Sequence, residues 1–274
     1  MQVLPIKELT PYIKHYLFLE NKGSIQKLRL FSDGNTGVVF TLKSKLISGS
    51  VNYNAQNCLP SSFLYGQLNG FKDIYSTEEM AIVIVVFQPN GINHLLGING
   101  SELRDSIISI DAIFGKKAVE LQEKLAGQIT IQDKINLLNQ FFYQLETKKA
   151  TTNQLIANAS LDFITKNNGQ FSLSQLVNYT GYTERHIERK FTECVGLNPK
   201  KFGNIIKLHH FLKLLKSKEQ ETSLTSLSYQ TGFSDQSHLI REFKKHTGIT
   251  PKEYSNNTGK LANNFIETFP KNKL

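Results

Sequence analysis

The sequence has 274 residues, 20% of them charged, and a formal net charge of +9. This length suits one large domain or two ordinary ones, and it excludes a small scaffold that depends on disulfides or metals for a core. The two cysteines, Cys58 and Cys194, lie far apart in sequence, which argues against a disulfide framework and fits a reducing compartment.

Membrane association is not expected from the sequence. The first residues lack the charged-then-apolar pattern of a secretory signal. The most apolar run, Met80–Phe87, is too short to span a bilayer. We therefore expect a soluble, cytoplasmic protein.

Positive charge is concentrated in the second half of the chain. Residues 1–150 carry 15 Lys and Arg against 13 Asp and Glu, whereas residues 151–274 carry 17 against 10. A basic half is typical of a domain that binds a polyanion, although many basic surfaces serve only solubility.

The first half of the chain is rich in predicted strands. Short apolar and β-branched runs predict strands at residues 12–18, 27–31, 37–42, 63–67 and 81–87. The last run is apolar throughout, as a strand buried on both faces would be. Strands this short and closely spaced predict a β-sandwich or a small barrel.

Two helices are predicted at the end of this half, at residues 115–126 and 131–145. The second helix carries an apolar stripe made of Ile131, Ile135, Leu138, Phe142 and Leu145. Two interpretations stay open at this point: the stripe packs on the sheet of its own domain, or it forms a dimer interface.

The domain boundaries follow from changes in composition. Residues 146–153, ETKKATTN, are polar and lack apolar spacing, so we predict an N-terminal domain at 1–147 and a linker at 148–153. Helical spacing resumes at 154, and we predict an all-helical domain at 154–256 that folds alone. Residues 257–274 form a polar tail that we expect to be loosely ordered.

The stretch at 223–254, SLTSLSYQTGFSDQSHLIREFKKHTGITPKEY, predicts a helix-turn-helix. Ser223 can cap a short helix, and Gly232 permits a turn with positive φ. We expect Ser234 to cap the second helix, whose Leu239 and Phe243 lie on one buried face.

An earlier stretch repeats this pattern at 172–202. Gly181 matches Gly232, and after one inserted residue Arg189 matches Arg241. The chain thus carries two helix-turn-helix units, at about 172–192 and 223–246. Between them, residues 199–216 predict one long helix of about 27 Å.

Two runs in the second unit carry a specific resemblance. GFSDQSHLIREFKK at 232–245, followed by GITPKEY at 248–254, resembles the C-terminal signature of AraC/XylS-type transcription regulators. The resemblance implies a bacterial, nucleoid-associated protein that binds specific DNA sequences with two recognition helices in adjacent major grooves. It also implies RNA polymerase as a partner.

A looser resemblance covers roughly residues 5–125. The strings FQPNGINHLLG at 87–97 and DAIFG at 111–115 are similar to an N-terminal domain found on some AraC-type regulators. This implies a β-rich sensory or dimerising domain, with a possible small-molecule effector and a possible homodimer. The predicted fold class is therefore α+β with two domains: a sandwich-like or barrel-like domain that ends in helices, then an all-α DNA-binding domain.

The face opposite the buried residues of each recognition helix contains the candidate DNA contacts. The resemblance implies base contacts from Arg185, Glu188, Arg189, Gln236, Ser237 and Arg241. Contacts to the DNA backbone are expected from Ser172, Lys200, Lys201, Ser223, Lys244 and Lys245. An alternative for Arg189 and Arg241 is an ion pair with a neighbouring helix.

The sequence contains little that favours an enzyme, and we expect no catalytic residue, metal or cofactor. His15 and His94 form no His-x-His pair, and Cys58 has no basic neighbour that would lower its pKa. One alternative is a DNA-repair alkyl transferase fused to the DNA-binding domain, which would need an activated cysteine. Another is a DNA-binding adaptor that responds to no ligand.

Overall fold

The computed structural model describes residues 1–21, 26–49, 57–76, 79–145, 152–216, 223–256, 258–262 and 264–268. Its strands are β1 (Gln2–Val3), β2 (Ile13–Asn21), β3 (Gln26–Phe31), β4 (Gly37–Lys43), β5 (Leu46–Ser48), β6 (Ser62–Tyr65), β7 (Phe71–Ser76), β8 (Met80–Phe87), β9 (Ile107–Ser109), β10 (Thr258–Ala262) and β11 (Phe265–Thr268). The five predicted strands are confirmed as β2, β3, β4, β6 and β8; the others were not predicted.

The helices lie between and after these strands. They are α1 (Gly91–Leu96), α2 (Asp111–Phe114), α3 (Lys116–Gly127), α4 (Ile131–Tyr143), α5 (Thr152–Lys166), α6 (Leu173–Thr180), α7 (Glu184–Val195), α8 (Pro199–Lys216), α9 (Leu224–Gln230), α10 (Gln236–Thr247) and α11 (Pro251–Asn256). Short 3₁₀ helices lie at Lys7–Leu9 and Gly100–Leu103. The α+β class and the helical second half are confirmed.

Two antiparallel sheets form the N-terminal domain. One sheet has the order β1-β2-β8-β4-β6-β9, and the other has the order β10-β11-β3-β7-β5. Strand β8 lies inside the first sheet and is buried along its whole length. Its residues alternate, so that Ile82 and Ile84 face the core between the sheets while Val83 and Val85 face a second core.

The second core lies under helices α1 to α4. In α4, Ile135, Leu138 and Phe142 are at most 5% exposed and pack in this core, with Ile131 and Leu145 against its edge. The stripe therefore packs on the sheet of its own domain. The other interpretation, in which the stripe forms a dimer interface, does not fit, because its central residues are already buried within the chain. Homodimerisation itself stays a prediction.

Residues 258–262 and 264–268 of the predicted tail join the N-terminal domain, so the prediction of loose order is wrong for this described part of the tail. Strands β10 and β11 form a hairpin, and β11 pairs with β3 in an antiparallel register that sets Phe265 opposite Leu30. Phe265 is buried between the two sheets, while Ile266 is fully buried on the other side. Two adjacent apolar residues thus fill two different cores, which explains why this segment is ordered.

Each helix-turn-helix unit has its own core, and α8 contributes to both. Phe202 and Ile205 at the start of α8 pack in the first core, and Phe211 and Leu212 near its end pack in the second. The second core also contains Phe31 and Ile266, which lie outside residues 154–256. Independent folding of 154–256 stays a prediction. Most of the predicted linker, together with residues 217–222, lies outside the described residues, and α5 begins at Thr152.

Candidate nucleic-acid interface

The first unit begins with a capping box. The hydroxyl of Ser172 accepts a hydrogen bond from the Gln175 N–H, and the Gln175 side chain accepts one from the Ser172 N–H. This arrangement satisfies two backbone donors at the start of α6. Gly181 ends α6 in the left-handed region at φ 75°, where a residue without a Cβ is favoured. The turn leads directly into α7.

The second unit follows the same plan with one difference. Ser223 caps α9 by accepting from the Ser226 N–H, and Gly232 has φ +76° as predicted. The predicted cap at Ser234 is wrong: Asp235 caps α10, since its carboxylate accepts from the His238 N–H at 2.7 Å. This bond also holds the pKa of Asp235 below its usual value. Relative to the first unit, the second unit has one inserted residue after its turn glycine. This insertion, visible in the sequence, moves the cap of α10 by one position, from Ser234 to Asp235.

Helices α7 and α10 bury matching faces. Ile187 and Phe191 are buried in α7, as are Leu239 and Phe243 in α10, so the opposite faces are free to contact a partner. Exposed on these faces are Arg185 and Arg189 in α7, and Ser237 and Arg241 in α10.

Neither Arg189 nor Arg241 forms an ion pair within the part of the chain that the structure describes. The ion pairs in this half instead join Lys166 to Asp162, Lys190 to Glu193, and Lys245 and His246 to Glu242. The alternative role of the two arginines, an ion pair with a neighbouring helix, is therefore not observed. Both guanidinium groups keep their five donors for an external acceptor.

Two further predicted contacts are partly buried. Glu188 lies between the exposed and buried faces of α7. Gln236, the first residue of α10, accepts a hydrogen bond at Oε1 from the Thr225 hydroxyl at 2.8 Å. Because Thr225 lies on α9, this bond orients the Gln236 amide across the turn. No sequence pattern indicates the pairing of Thr225 with Gln236.

The predicted lysines all lie at the surface. Lys200 and Lys201 are exposed at the start of α8, and Lys244 and Lys245 are exposed near the end of α10. Lys245 lies 3.9 Å from Glu242, a separation that contributes little in an exposed pair. Ser172 and Ser223 are also exposed at their helix starts.

One exposed aromatic pair was not predicted from the sequence. Tyr182, in the turn of the first unit, stacks on His186 with ring centroids 5.5 Å apart and an angle of 17° between the planes. Tyr182 is 41% exposed, whereas Phe233 at the matching position of the second unit is 6% exposed. The two units therefore present different surfaces beside their recognition helices.

The N-terminal domain contacts this helical domain directly. His209 of α8 lies 3.0 Å from the Ser32 carbonyl, and the Phe202 ring covers Gly34. A cavity of about 710 Å³ lies next to these contacts, between the sandwich and α8.

Cys194 does not resemble an activated nucleophile. Burial, with a smaller contribution from Glu193, raises the pKa of Cys194 to about 11, which disfavours the thiolate. Among the described residues there is no cluster of three or more His, Cys, Asp or Glu that could hold a metal. No helix in the same described ranges is long and apolar enough to cross a membrane.

Comparison with known proteins agrees with this geometry. Residues 176–257 match the family model of a helix-turn-helix domain, and residues 1–109 match that of a domain of unknown function, DUF6597. The helix-turn-helix domain at residues 176–257 is of the AraC type. The resemblance found in the signature at 232–254 is thereby confirmed.

Relatives of this chain are regulators by name. An uncharacterized HTH-type transcriptional regulator of Staphylococcus aureus (strain MSSA476) is 30% identical over 146 residues, which is 53% of this chain and 19% of the relative. The chain therefore spans about a fifth of the length of that relative.

Two solved structures are similar to this chain over different lengths. ToxT from Vibrio cholerae has 14% identity and a TM-score of 0.45, covering 87% of this chain and 97% of ToxT. A transcriptional regulator from Chromobacterium violaceum with an AraC-type DNA-binding domain has 25% identity and a TM-score of 0.34, covering 36% of this chain and 88% of that protein.

Proposed function

We propose that this chain is a sequence-specific transcription regulator that reads two adjacent major grooves of double-stranded DNA. The observation that carries the proposal is the pair of helices α7 and α10, which expose Arg189 and Arg241 at matching positions with no ion-pair partner among the described residues. An exposed arginine on the second helix of such a unit can bond guanine O6 and N7 at once.

The base contacts follow from the chemistry of each side chain. Arginine favours guanine, Gln236 can bond adenine through its amide, and Glu188 can accept a hydrogen bond from cytosine N4. The proposed base contacts are Arg185, Glu188 and Arg189 from α7, and Gln236, Ser237 and Arg241 from α10.

The DNA backbone contacts hold the protein in register without reading sequence. Exposed lysines can neutralise phosphates, and the N–H groups at the starts of α6 and α9 point to a position where a phosphate is favoured. The proposed backbone contacts are Ser172, Lys200, Lys201, Ser223, Lys244 and Lys245.

Helix α8 sets the separation of the two units. Its 18 residues correspond to about 27 Å of helix. Recognition helices that contact successive major grooves on one side of DNA lie about 34 Å apart. A straight connecting helix of this length can therefore hold two units near the required spacing.

Selection of binding sites from random DNA by the full chain tests this function. We expect an enriched site with two parts centred about 10 base pairs apart. Lys201→Ala should weaken all sequences alike and reduce the dependence of log K on log salt by about one unit. Lys116→Ala, which removes an exposed charge from α3, is the control and should change neither. Failure of the wild-type chain to enrich any sequence would overturn the proposal.

The cavity between the domains is the proposed site of a small-molecule effector. Its apolar lining comes from both sheets and the hairpin, and includes Leu17, Leu30, Ile84, Val86 and Phe265. Of the described residues that line it, the charged ones are Lys14, Lys213, Lys216 and Asp33. Three cations around an apolar space favour an anion with an apolar body. The effector would thus contact α8 as well as the N-terminal domain, where the sequence analysis placed it.

A thermal-shift screen of the full chain with carboxylates and phosphate esters that carry apolar tails tests this site. A molecule that binds the folded chain raises its melting temperature. The shift should be lost in the double variant Lys14→Gln, Lys213→Gln and kept in Lys116→Gln. A chain that no such molecule stabilises would instead be the adaptor that responds to no ligand.

The remaining partners follow from the same function. A regulator of this type would act on RNA polymerase, in the bacterial cytoplasm beside the nucleoid. A homodimer would have to use a surface other than the buried stripe of α4.

A further inference from the structure

The two recognition helices both end against an arginine of the N-terminal domain. Helix α7 ends at Gly196 with φ 88°, and α10 ends at Gly248 with φ 73°. The two glycines occupy matching positions in the two units. The carbonyl groups at a helix C-terminus carry partial negative charge and lack partners within the helix. A cation placed there stabilises the helix end.

At the first helix this cation is Arg104. Its Nε and Nη2 both donate to the Gly196 carbonyl, at 2.9 and 2.7 Å. Beside it, Gly100 lies so close that a Cβ there would stand 2.6 Å from the Gly196 nitrogen. The end of α7 is therefore in direct backbone contact with the N-terminal domain.

At the second helix the cation is Arg29. Its Nη1 donates to the Thr247 carbonyl at 3.4 Å, while Nε and Nη2 donate to both carboxylate oxygens of Asp73 at 2.7 and 2.8 Å. The guanidinium also lies 4.1 Å from the centre of the Phe71 ring. The contact to α10 is longer than the one to α7, but the arginine that makes it is fixed by strand β7.

These contacts matter because the two units have separate cores. The first core holds α5, α6 and α7, and the second holds α9, α10 and α11; α8 passes through both. A hydrogen bond from Gln170 Nε2 to the Gln230 carbonyl also links the units. Rotation of one unit about α8 would break the contact of its recognition helix with the N-terminal domain.

We propose that Arg104 and Arg29 are positioning residues through which the N-terminal domain fixes the distance and rotation between the two recognition helices. This proposal rests on the proposed function, since it concerns the spacing of two DNA half-sites. One added base pair moves a half-site by about 3.4 Å and turns it by about 34°. Two recognition helices that are each held at the C-terminus cannot follow that change, whereas two loosened helices can.

The test uses the DNA site that the full wild-type chain selects from random sequences, with one or two base pairs inserted or removed between its halves. Affinity is measured for the wild type, Arg104→Ala and Arg29→Lys. The control is Lys72→Ala, which removes a neighbouring cation whose Nζ donates to the Asp105 carbonyl within the N-terminal domain. Arg29→Lys keeps a charge beside Asp73, so that the sheet stays paired.

For the wild type, one inserted base pair should weaken binding by about tenfold or more, because base contacts in one half are lost. In Arg104→Ala, the loss of DNA affinity caused by one inserted base pair should be smaller than in the wild type by a factor of about three or more. Arg29→Lys should change this loss in the same direction. A role in folding alone would weaken all spacings equally.

The two proposals fail in different ways. If the wild type selects no site, the proposed function and this inference are both overturned. If it selects a site but Arg104→Ala and Arg29→Lys keep the wild-type dependence on spacing, only the inference is overturned. The inference alone is also overturned if Lys72→Ala reduces the dependence of affinity on spacing as much as Arg104→Ala and Arg29→Lys do. Loss of a positive charge alone would then explain the effect.

Discussion

The imidazole Nε2 of His209, in the middle of α8, lies 3.0 Å from the carbonyl oxygen of Ser32 in the N-terminal domain. A carbonyl only accepts, so this nitrogen carries the proton. Burial lowers the pKa of His209, although Asp33 and the Ser32 carbonyl act to raise it and Lys14 acts to lower it. The helix that joins the two DNA-binding units is therefore tied to the N-terminal domain by a neutral histidine.

Acid should destabilise the folded chain at His209, because burial disfavours the charged imidazole. The pKa of His209 is lowered in the folded chain, so the unfolded chain binds more protons as the pH falls below about 6.5. The contribution of His209 to the free energy of unfolding is complete above about pH 6.5. Below this pH the contribution is lost, by at most about 1.4 kcal/mol per pH unit. Melting temperatures at pH 7.5 and 5.5 should therefore differ less for His209→Gln than for the wild type. His186→Gln, which keeps the Ser32 contact, is the control. An unchanged difference in His209→Gln would contradict this account.

The tail hairpin should contribute to the stability of the second DNA-binding unit. Ile266 is fully buried in the core of that unit. Ile266→Ala should lower the free energy of unfolding by about 2–5 kcal/mol, because it leaves a cavity. Ile129→Ala, at a residue that is 95% exposed, should change it by less than about 0.5 kcal/mol. Urea denaturation of the full chain measures both, and equal midpoints would mean that the hairpin does not support the core.

The close approach of Gly100 to Gly196 gives a steric test. A Cβ at Gly100 would meet the backbone of residues 194–196 at 2.6–3.0 Å, so Gly100→Ala must push α7 away from the N-terminal domain. We expect a lower melting temperature. Gly127→Ala is the matched control, since a Cβ there meets nothing within 4 Å, and it should be neutral or stabilise by up to about 1 kcal/mol. Equal melting temperatures for the two variants would argue against a tight interface.

Local patterns predicted the elements whose cause is local. Ser223 caps a helix and Gly232 adopts positive φ, because these roles depend on the residue and its near neighbours. Strand β8 was predictable because it is apolar on both faces. The repeat and the signature at 232–254 then indicated the two units.

The features that were missed depend on contacts between distant residues. Strand β7 contains Lys72 and Asp73, which break the apolar alternation; its Asp73 is stabilised by Arg29, 44 residues away. The tail was predicted to be loose because its polar residues dominate its composition. No local sequence pattern indicates that Ile266 packs in the core of the second helix-turn-helix unit. Nor does one indicate that Arg104 donates to the carbonyl at the end of α7.

The measurement that tests the central claim most directly is binding-site selection from random DNA with the wild type, Arg189→Ala and Arg241→Ala. Loss of a bidentate guanine contact should cost about 1–3 kcal/mol and relax preference at one base pair. The account predicts that each variant loosens a different half of the site, with the two relaxed positions about 10 base pairs apart. Uniform weakening with unchanged base preferences in both variants, or relaxation of the same position by both, would contradict it.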